Sequence, residues 1–169
     1  MTIRIEKATP ADAPALTELQ VRAFDEDARR YADAGPGGPP GYDDVAWQVE
    51  RMAQGHYFKI LDGEVLVGGA IVFRTGPESC ELARIWIAPE RQGQGMGGRA
   101  MELLEAAFPD ARRWTLDTPA WALRNQAFYS RRGYARVREA PAGRMILFFY
   151  EKTLAPAEGA VTGRSTARR

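Results

Sequence analysis

The sequence predicts one α/β domain with a mixed, mostly antiparallel sheet, a central parallel β-α-β unit and flanking helices. Its 169 residues fall within the roughly 100–200 residues of a typical single domain. Turn signals separate three consecutive apolar segments between residues 57 and 88, which predicts antiparallel strands. Beyond residue 95 helical and strand patterns alternate, which predicts a parallel strand pair joined by a helix.

The first third of the chain predicts a strand followed by two helices. Residues 3–5 alternate as a short strand, and residues 9–12 offer an N-cap, a proline and an acid at a helix start. One face of that helix carries the apolar residues Leu16, Leu19, Ala23 and Phe24. Residues 35–41 consist entirely of glycine and proline, which excludes a regular helix or strand there. Asp43 is predicted to cap the second helix, which ends near Gly55.

Three strands in succession are predicted next. Residues 57–61 and 65–73 are joined by Asp62-Gly63, a dipeptide typical of tight hairpin turns. A further turn at Gly76-Pro77 leads to a third apolar strand over residues 82–88. Because each connection is short, we expect the three strands to be antiparallel neighbours.

A helix and a buried strand follow. From Gly95 the apolar residues recur with helical period until Pro109 ends the helix. Residues 114–116 then read as a short buried strand. This strand and the one before the helix form the predicted parallel unit.

The last part of the chain predicts a helix, a hairpin and a tail. The dipeptide Thr118-Pro119 is predicted to cap a helix that ends at Arg132. Residues 134–150 form a closing hairpin, which completes the order β-α-α-β-β-β-α-β-α-β-β. Residues 154–169 contain few large apolar side chains that could be buried in a core. We therefore expect a domain over residues 1–153 and a disordered tail after it.

Composition excludes several classes of protein. The formal net charge is +1, and basic residues are interspersed with acids, so the clustered basic surface that nucleic acid requires is absent. No apolar stretch approaches the ~20 residues that span a bilayer, and residues 1–4 begin no signal-peptide pattern. Cys80, the single cysteine, excludes an internal disulfide and fits a reducing compartment. We therefore expect a cytoplasmic protein without nucleic acid or membrane partners.

A glycine-rich turn lies between a predicted strand and a predicted helix, with the sequence Gln92-Gly93-Gln94-Gly95-Met96-Gly97-Gly98. Free backbone N–H groups and the positive end of a helix dipole meet at such a turn, so it binds anions. Glycine matters because a Cβ would hold a phosphate away from the amides. Two families fit this string.

The first is the dinucleotide fingerprint. Gly93, Gly95 and Gly98 match G-x-G-x-x-G, and Asp117 follows at a strand end. The context disagrees, because residues 89–92 separate the strand from the first glycine and the preceding strands form hairpins. A dinucleotide-dependent oxidoreductase is therefore the lesser alternative.

The second is the Gcn5-related N-acetyltransferase (GNAT) family, whose pyrophosphate loop reads Gln/Arg-x-x-Gly-x-Gly/Ala. Gln92, Gly95 and Gly97 meet that pattern. Residues 85–90, Ile-Trp-Ile-Ala-Pro-Glu, resemble the family's strand and turn before the loop, and residues 125–134 resemble a later segment. The resemblance runs over about residues 3–152, and the family's element order is the predicted one. It implies a single-domain GNAT-like fold.

The resemblance implies acetyl-coenzyme A as co-substrate. Backbone amides of residues 93–98 would hold the pyrophosphate, with Arg91, Gln92 or Arg99 near its charge, and the pantetheine arm would lie along residues 85–87. The cofactor-binding residues so implied are Ile85, Trp86, Ile87, Arg91, Gln92, Gly93, Gln94, Gly95, Met96, Gly97, Gly98, Asn125 and Tyr129.

Asn125 and Tyr129 are four residues apart on one predicted helix, so both side chains point to the same side. The resemblance implies that the asparagine binds the pantetheine arm and that the tyrosine, a phenol of pKa ~10, protonates the departing thiolate of pKa ~8.5. An acceptor ammonium of pKa ~10.4 must first lose a proton. Glu81 resembles the family members' glutamate base, and Glu50 and Asp117 compete for that role.

The acceptor is predicted to be the primary amine of a small molecule or a peptide, acetylated by direct transfer. The candidate acceptor residues are Tyr31, Tyr42, Trp47, Asp117, Trp121 and Arg144. A non-catalytic acetyl-coenzyme A-binding module of the same fold is the main alternative, and a homodimer is left open. His56 lacks the further ligands that a metal site needs, so no metal is expected. Cys80 is expected to be a small buried hydrophobe and no nucleophile, since no histidine lies close in the sequence.

Overall fold

A seven-stranded sheet organises the part of the chain that the computed structural model describes, residues 1–31 and 35–155. The strands are β1 (Ile3–Lys7), β2 (His56–Asp62), β3 (Val65–Gly76), β4 (Ser79–Ile87), β5 (Arg113–Pro119), β6 (Ala135–Ala142) and β7 (Met145–Thr153). The helices are α1 (Ala13–Tyr31), α2 (Val45–Gln54), α3 (Met96–Ala107) and α4 (Leu123–Arg131). Short 3₁₀ turns, Pro10–Asp12 and Pro89–Arg91, precede α1 and follow β4.

The strands lie in the order β1-β2-β3-β4-β5-β7-β6. Among the seven strands described, only β4 and β5 pair in parallel, joined through α3, and every other neighbouring pair is antiparallel. This confirms the predicted mixed sheet with a central parallel unit. It also removes the dinucleotide-binding alternative, since that fold needs a mostly parallel sheet with alternating helices.

Helices cover both faces of the sheet. On one face Ala100, Met101 and Leu104 of α3 pack in a core with residues of β3, β4 and β5, which also includes Tyr129 of α4. On the other face Leu16 of α1 belongs to a second core with residues of α2, β2, β3 and β4. The sheet is therefore buried on both sides in its centre, which explains the near-continuous apolar run of β3.

Two predicted helix starts are wrong. The cap of α2 is Asp44 in place of Asp43, since its Oδ1 accepts hydrogen bonds from the backbone of Ala46 (2.9 Å) and Trp47 (3.2 Å). Thr118-Pro119 does not cap α4. Both residues end β5, where they pair with β7, and α4 begins only at Leu123 without a side-chain cap. Pairing with a distant strand overrides the local capping signal there.

Leu154, the first residue of the predicted tail, still contacts the rest of the domain. The backbone N–H of Leu154 donates to the carbonyl of Arg112 (2.7 Å), and Leu154 packs against the first core. The rest of the predicted tail, residues 156–169, lies outside the described residues, so the predicted disorder stays a prediction. Among the residues described, no helix is long and apolar enough to cross a membrane.

Candidate functional site

The sheet opens between its two parallel strands. β4 and β5 pair only at Ser79 with Arg113, Cys80 with Trp114 and Glu81 with Thr115. Beyond Glu81 the strands separate, although β4 continues to Ile87 and β5 to Pro119. The facing backbone groups of both strands are thereby left without strand partners across the gap, and such an edge can bind an extended ligand.

The glycine turn closes one end of this gap. Gly93 (φ 73°) and Gly95 (φ 82°) both adopt left-handed backbone conformations, and Gly95 is the N-cap of α3. A Cβ at either glycine would meet nothing within 4 Å. The space in front of these amides is therefore open, and no side chain caps the first N–H groups of α3, as an anion site requires.

Gly97 and Gly98 have a different role from the first two glycines. A Cβ at Gly98 would collide with the guanidinium of Arg132, and one at Gly97 would lie 3.3 Å from the ring of Phe128. These two glycines let α3 and α4 approach each other closely. They line the wall of the site and shape it through packing.

A cleft of about 310 Å³ runs from this turn along the gap. Residues of β4, the glycine turn and α4 line it, and α1 adds a wall that the sequence did not indicate. The lining residues that were predicted are Ile85, Trp86, Ile87, Arg91, Gln92, Gly93, Gly95, Gly97, Gly98, Asn125 and Tyr129. Those that were not predicted are Ala23, Phe24, Asp27, Arg124, Phe128, Arg131 and Arg132.

Three predicted binding residues lie beside the cleft. The exposed Gln94 donates to the backbone carbonyl of Glu90 (3.2 Å), and Met96 is buried in the first core. Arg99 is exposed on α3 and pairs with Glu102 (2.8 Å). The side chains of these residues thus have other contacts, and only the backbone of the turn brings them near the cleft.

Hydrogen bonds hold the turn and α4 in position. The side-chain amide of Gln92 donates to the carbonyl of Ile87 (2.9 Å), and its oxygen accepts from Arg124 on α4. Arg91 forms an ion pair with Asp62 (3.2 Å). Arg124 is one residue before the predicted Asn125, but a single arginine on a helix gives no sequence signal that it contacts a distant loop.

Asn125 and Tyr129 lie on the cleft side of α4, as their spacing predicted. The amide of Asn125 donates to the hydroxyl of Thr118 at the end of β5 (3.3 Å). Tyr129 is buried among the rings of Phe128, Tyr134 and Tyr150. Burial raises the pKa of Tyr129 well above its usual range, and two nearby carboxylates add to the effect. The phenol therefore stays protonated at neutral pH and is able to donate.

Glu81 and Asp117 share one face of the sheet. Glu81 pairs with Thr115, and Asp117 follows two residues later on the same side of β5. Burial raises the pKa of Glu81, and the charge of Asp117 raises it further. Asp117 is still partly exposed to solvent. Partial burial of its carboxylate raises its pKa, although the positive charges of Arg138 and Arg84 oppose that rise. Glu50, the other candidate base, is exposed on α2 and forms an ion pair with Arg51 (3.7 Å).

The predicted acceptor residues do not form one cluster. Trp47 lies against the guanidinium of Arg84 at 4.5 Å, on the face of Asp117. The hydroxyl of Tyr42 donates to Asp25 (2.8 Å), which ties the loop before α2 to α1. Tyr31 is exposed at the end of α1, Trp121 lies in the turn before α4, and Arg144 is exposed in the β6–β7 turn. Of these six residues, Asp117 is the one whose charge acts on the candidate base Glu81.

Two residues considered for metal or nucleophilic chemistry have packing roles. The ring of His56 lies edge-on to Phe108 at 5.0 Å, and Cys80 is fully buried. Within residues 1–31 and 35–155 there is no group of His, Cys, Asp or Glu side chains that would hold a metal ion.

Comparisons with known proteins agree with this geometry. A model of the acetyltransferase (GNAT) family matches residues 14–134. The chain is 30% identical over 129 residues to the uncharacterised protein YrkN of Bacillus subtilis (strain 168), a match that covers 74% of this chain and 68% of YrkN. It is 25% identical over 138 residues to the uncharacterised N-acetyltransferase YjgM of Escherichia coli (strain K12), covering 79% and 82%.

A solved structure shares the fold. The PaiA N-acetyltransferase from Thermoplasma acidophilum, crystallised in complex with coenzyme A, superimposes with a TM-score of 0.74 over 91% of this chain and 100% of that one, at 15% identity. At such low identity the likeness concerns the fold, and the family match carries the assignment. The chain therefore belongs to the GNAT acetyltransferase family and is an acyltransferase.

Proposed function

We propose that the protein is an acetyl-coenzyme A-dependent N-acetyltransferase that moves the acetyl group directly to the primary amine of a small molecule or peptide. The observation that best supports this is the gap between β4 and β5. It begins at Glu81, it is bordered by Tyr129, and it ends at the glycine turn. A candidate base, a candidate acid and an anion site thus lie along one opening.

The residues of the cleft fit the coenzyme. The open space in front of Gly93 and Gly95 suits a pyrophosphate, which accepts from free backbone N–H groups at a helix start. Arg124 adds a positive charge near the turn. Residues 85–87 pair with β3 on one side only, and their backbone groups that face the gap are able to pair with the amides of a pantetheine arm. Asn125 offers a further donor or acceptor to that arm.

The side chains supply the proton transfers. When bound, acetyl-coenzyme A supplies a thioester whose C–S bond breaks as the new C–N bond forms. Glu81 accepts a proton from the acceptor ammonium, which leaves a neutral nitrogen with a free electron pair. Tyr129 gives its proton to the departing sulfur and regains one from the nitrogen that has become an amide. The proton on Glu81 then passes to water.

Turnover tests the proposal directly. The purified protein is incubated with acetyl-coenzyme A and a panel of amines, amino acids, aminoglycosides and peptides, and released thiol is measured. We expect amine-dependent thiol release, with a mass increase of the acceptor by one acetyl group. Calorimetry with acetyl-coenzyme A and with NAD is run beside it. Binding of acetyl-coenzyme A without turnover on any acceptor would favour the non-catalytic module and contradict the proposal.

A cytoplasmic location is part of the same proposal. It is supported by Cys80, which is buried and has no cysteine partner in the sequence. Cell fractionation checks it, and recovery of the protein outside the cytoplasm would contradict it.

A further inference from the structure

Two arginines flank Asp117 on the face that carries the candidate base. Arg84 comes from β4 and Arg138 from β6, and the positive charges of both lower the pKa of Asp117 against the effect of burial. Neither guanidinium has a carboxylate within ion-pair distance among residues 1–31 and 35–155. This face of the sheet therefore carries a carboxylate and two guanidinium groups.

A bulge in β4 brings Arg84 to this face. Ile71 pairs with Arg84 while Val72 pairs with Leu82, so Ala83 is the extra residue of β4. Without that bulge, the strict alternation of a strand would place Glu81 and Arg84 on opposite faces. With it, both point towards α1 and α2.

Arg84 is held firmly but is not neutralised. Its guanidinium donates to the side-chain oxygen of Gln20 (2.8 Å) and to the carbonyl of Pro40 (3.0 Å), and it lies against the ring of Trp47. Burial lowers its pKa to about 10, so the cation persists at neutral pH. A partly buried charge that meets only neutral oxygens is costly, and a nearby anion relieves that cost.

A second bulge, in β6, places Arg138 on the same face. Arg136 pairs with Tyr150 and Arg138 with Phe149, which leaves Val137 as the extra residue. The guanidinium of Arg138 lies 3.6 Å from the centre of the Phe149 ring, and Phe149 is the partner of Asp117 across β5 and β7. Arg138 is thus two strands, or about 10 Å of backbone, from Asp117.

We propose that the acceptor is a small zwitterion, an amine that carries a carboxylate a few atoms away, as a free amino acid does. Its ammonium group is bound by Glu81 and Asp117, and its carboxylate by Arg138, while the fixed cation of Arg84 offsets the charge of the two acids. This assignment rests on the proposed acetyltransferase function. Two acids offset by two arginines leave no net negative charge for a polyamine, whose several ammonium groups need an acidic surface.

Matched acceptors test this assignment. The twenty common L-amino acids are each compared with their carboxamides, and alanine also with ethylamine, and every kcat/KM is corrected for the fraction of unprotonated amine. We expect the best amino acid to exceed its carboxamide by about 10- to 100-fold, the effect of one or two charge-assisted hydrogen bonds. Equal or better turnover of carboxamides and plain amines would overturn the inference and leave the proposed function standing.

Variants assign the preference to one side chain. Arg138→Gln should reduce the ratio of acid to carboxamide kcat/KM to near one, and Arg138→Lys should restore part of it. Arg136→Gln is the control, since Arg136 also lies on a phenylalanine of β7, Phe148 at 4.2 Å, but on the opposite face. A ratio is insensitive to partial unfolding, which lowers both rates equally.

The outcomes distinguish the role of Arg138 from the proposed acetyltransferase function. An unchanged ratio in Arg138→Gln, or an equal loss in Arg136→Gln, would overturn the role of Arg138. A failure to acetylate any amine, despite binding of acetyl-coenzyme A, would refute the proposed function and this inference with it.

Discussion

Replacing Gly95 by alanine tests whether the turn before α3 holds the pyrophosphate. Gly95 has φ 82°, and a Cβ there would enter open space. The substitution therefore has two separable effects. It forces alanine into a left-handed conformation, which costs about 1–2 kcal/mol of stability, and it places a methyl group in front of the amides that the phosphate would contact.

The structure provides a matched control for the first effect. Gly143 in the β6–β7 turn has φ 62°, and its Cβ would likewise meet nothing within 4 Å. Gly143→Ala should thus cost a similar amount of stability, about 2–4 °C in Tm per kcal/mol for a chain of this size. Its distance from the cleft means that coenzyme binding should not change.

The two variants are predicted to differ only in affinity. Loss of one hydrogen bond to a charged phosphate costs about 1.5–3 kcal/mol, so Gly95→Ala should weaken coenzyme A binding by about 10- to 100-fold. Gly95→Asp, which adds a negative charge, should abolish binding. Calorimetry of folded protein measures both. If Gly95→Asp folds and binds coenzyme A with the wild-type Kd, the turn is not the pyrophosphate site.

Four further predictions concern side chains. Tyr129→Phe should lower kcat by about 10² and leave coenzyme A affinity unchanged, because only the acidic hydroxyl is removed. The kcat/KM of the wild type should rise with pH as Glu81 loses its proton, and Glu81→Gln should remove that limb. Asp117→Asn should shift the limb to lower pH, since it removes one cause of the raised Glu81 pKa. Tyr57→Phe should lower the free energy of unfolding by about 1–3 kcal/mol, because the fully buried Gln48 loses the hydroxyl that donates to its oxygen (2.6 Å).

Each of these has a result that would count against it. A wild-type kcat in Tyr129→Phe would return the tyrosine to a packing role. A wild-type pH profile in Glu81→Gln would exclude Glu81 as the base, and an unchanged profile in Asp117→Asn would show that the charge of Asp117 does not raise the pKa of that base. For Tyr57→Phe the measurement is denaturant unfolding, and an unchanged midpoint would mean that water replaces the lost hydroxyl.

The sequence alone was sufficient for the features that depend on neighbours along the chain. Helical periodicity located α1, α3 and the spacing of Asn125 and Tyr129, because residues three to four apart meet on one helix face. The glycine turn was visible as well, since glycine adopts the left-handed backbone at Gly93 and Gly95 without the steric cost of a Cβ. Turn dipeptides likewise marked the hairpins.

Tertiary structure decided what depends on pairing between distant segments. The gap between β4 and β5 arises where their pairing stops at Glu81, and no local pattern encodes that point. Thr118 carries a capping signal that pairing with β7 overrides. The bulges that turn Arg84 and Arg138 towards Asp117 shift the register by one residue, and such a shift reverses the face of every later side chain. Electrostatic interactions depend on distance in space, so the charges around Asp117 are determined only by the assembly of β4, β5, β7 and β6.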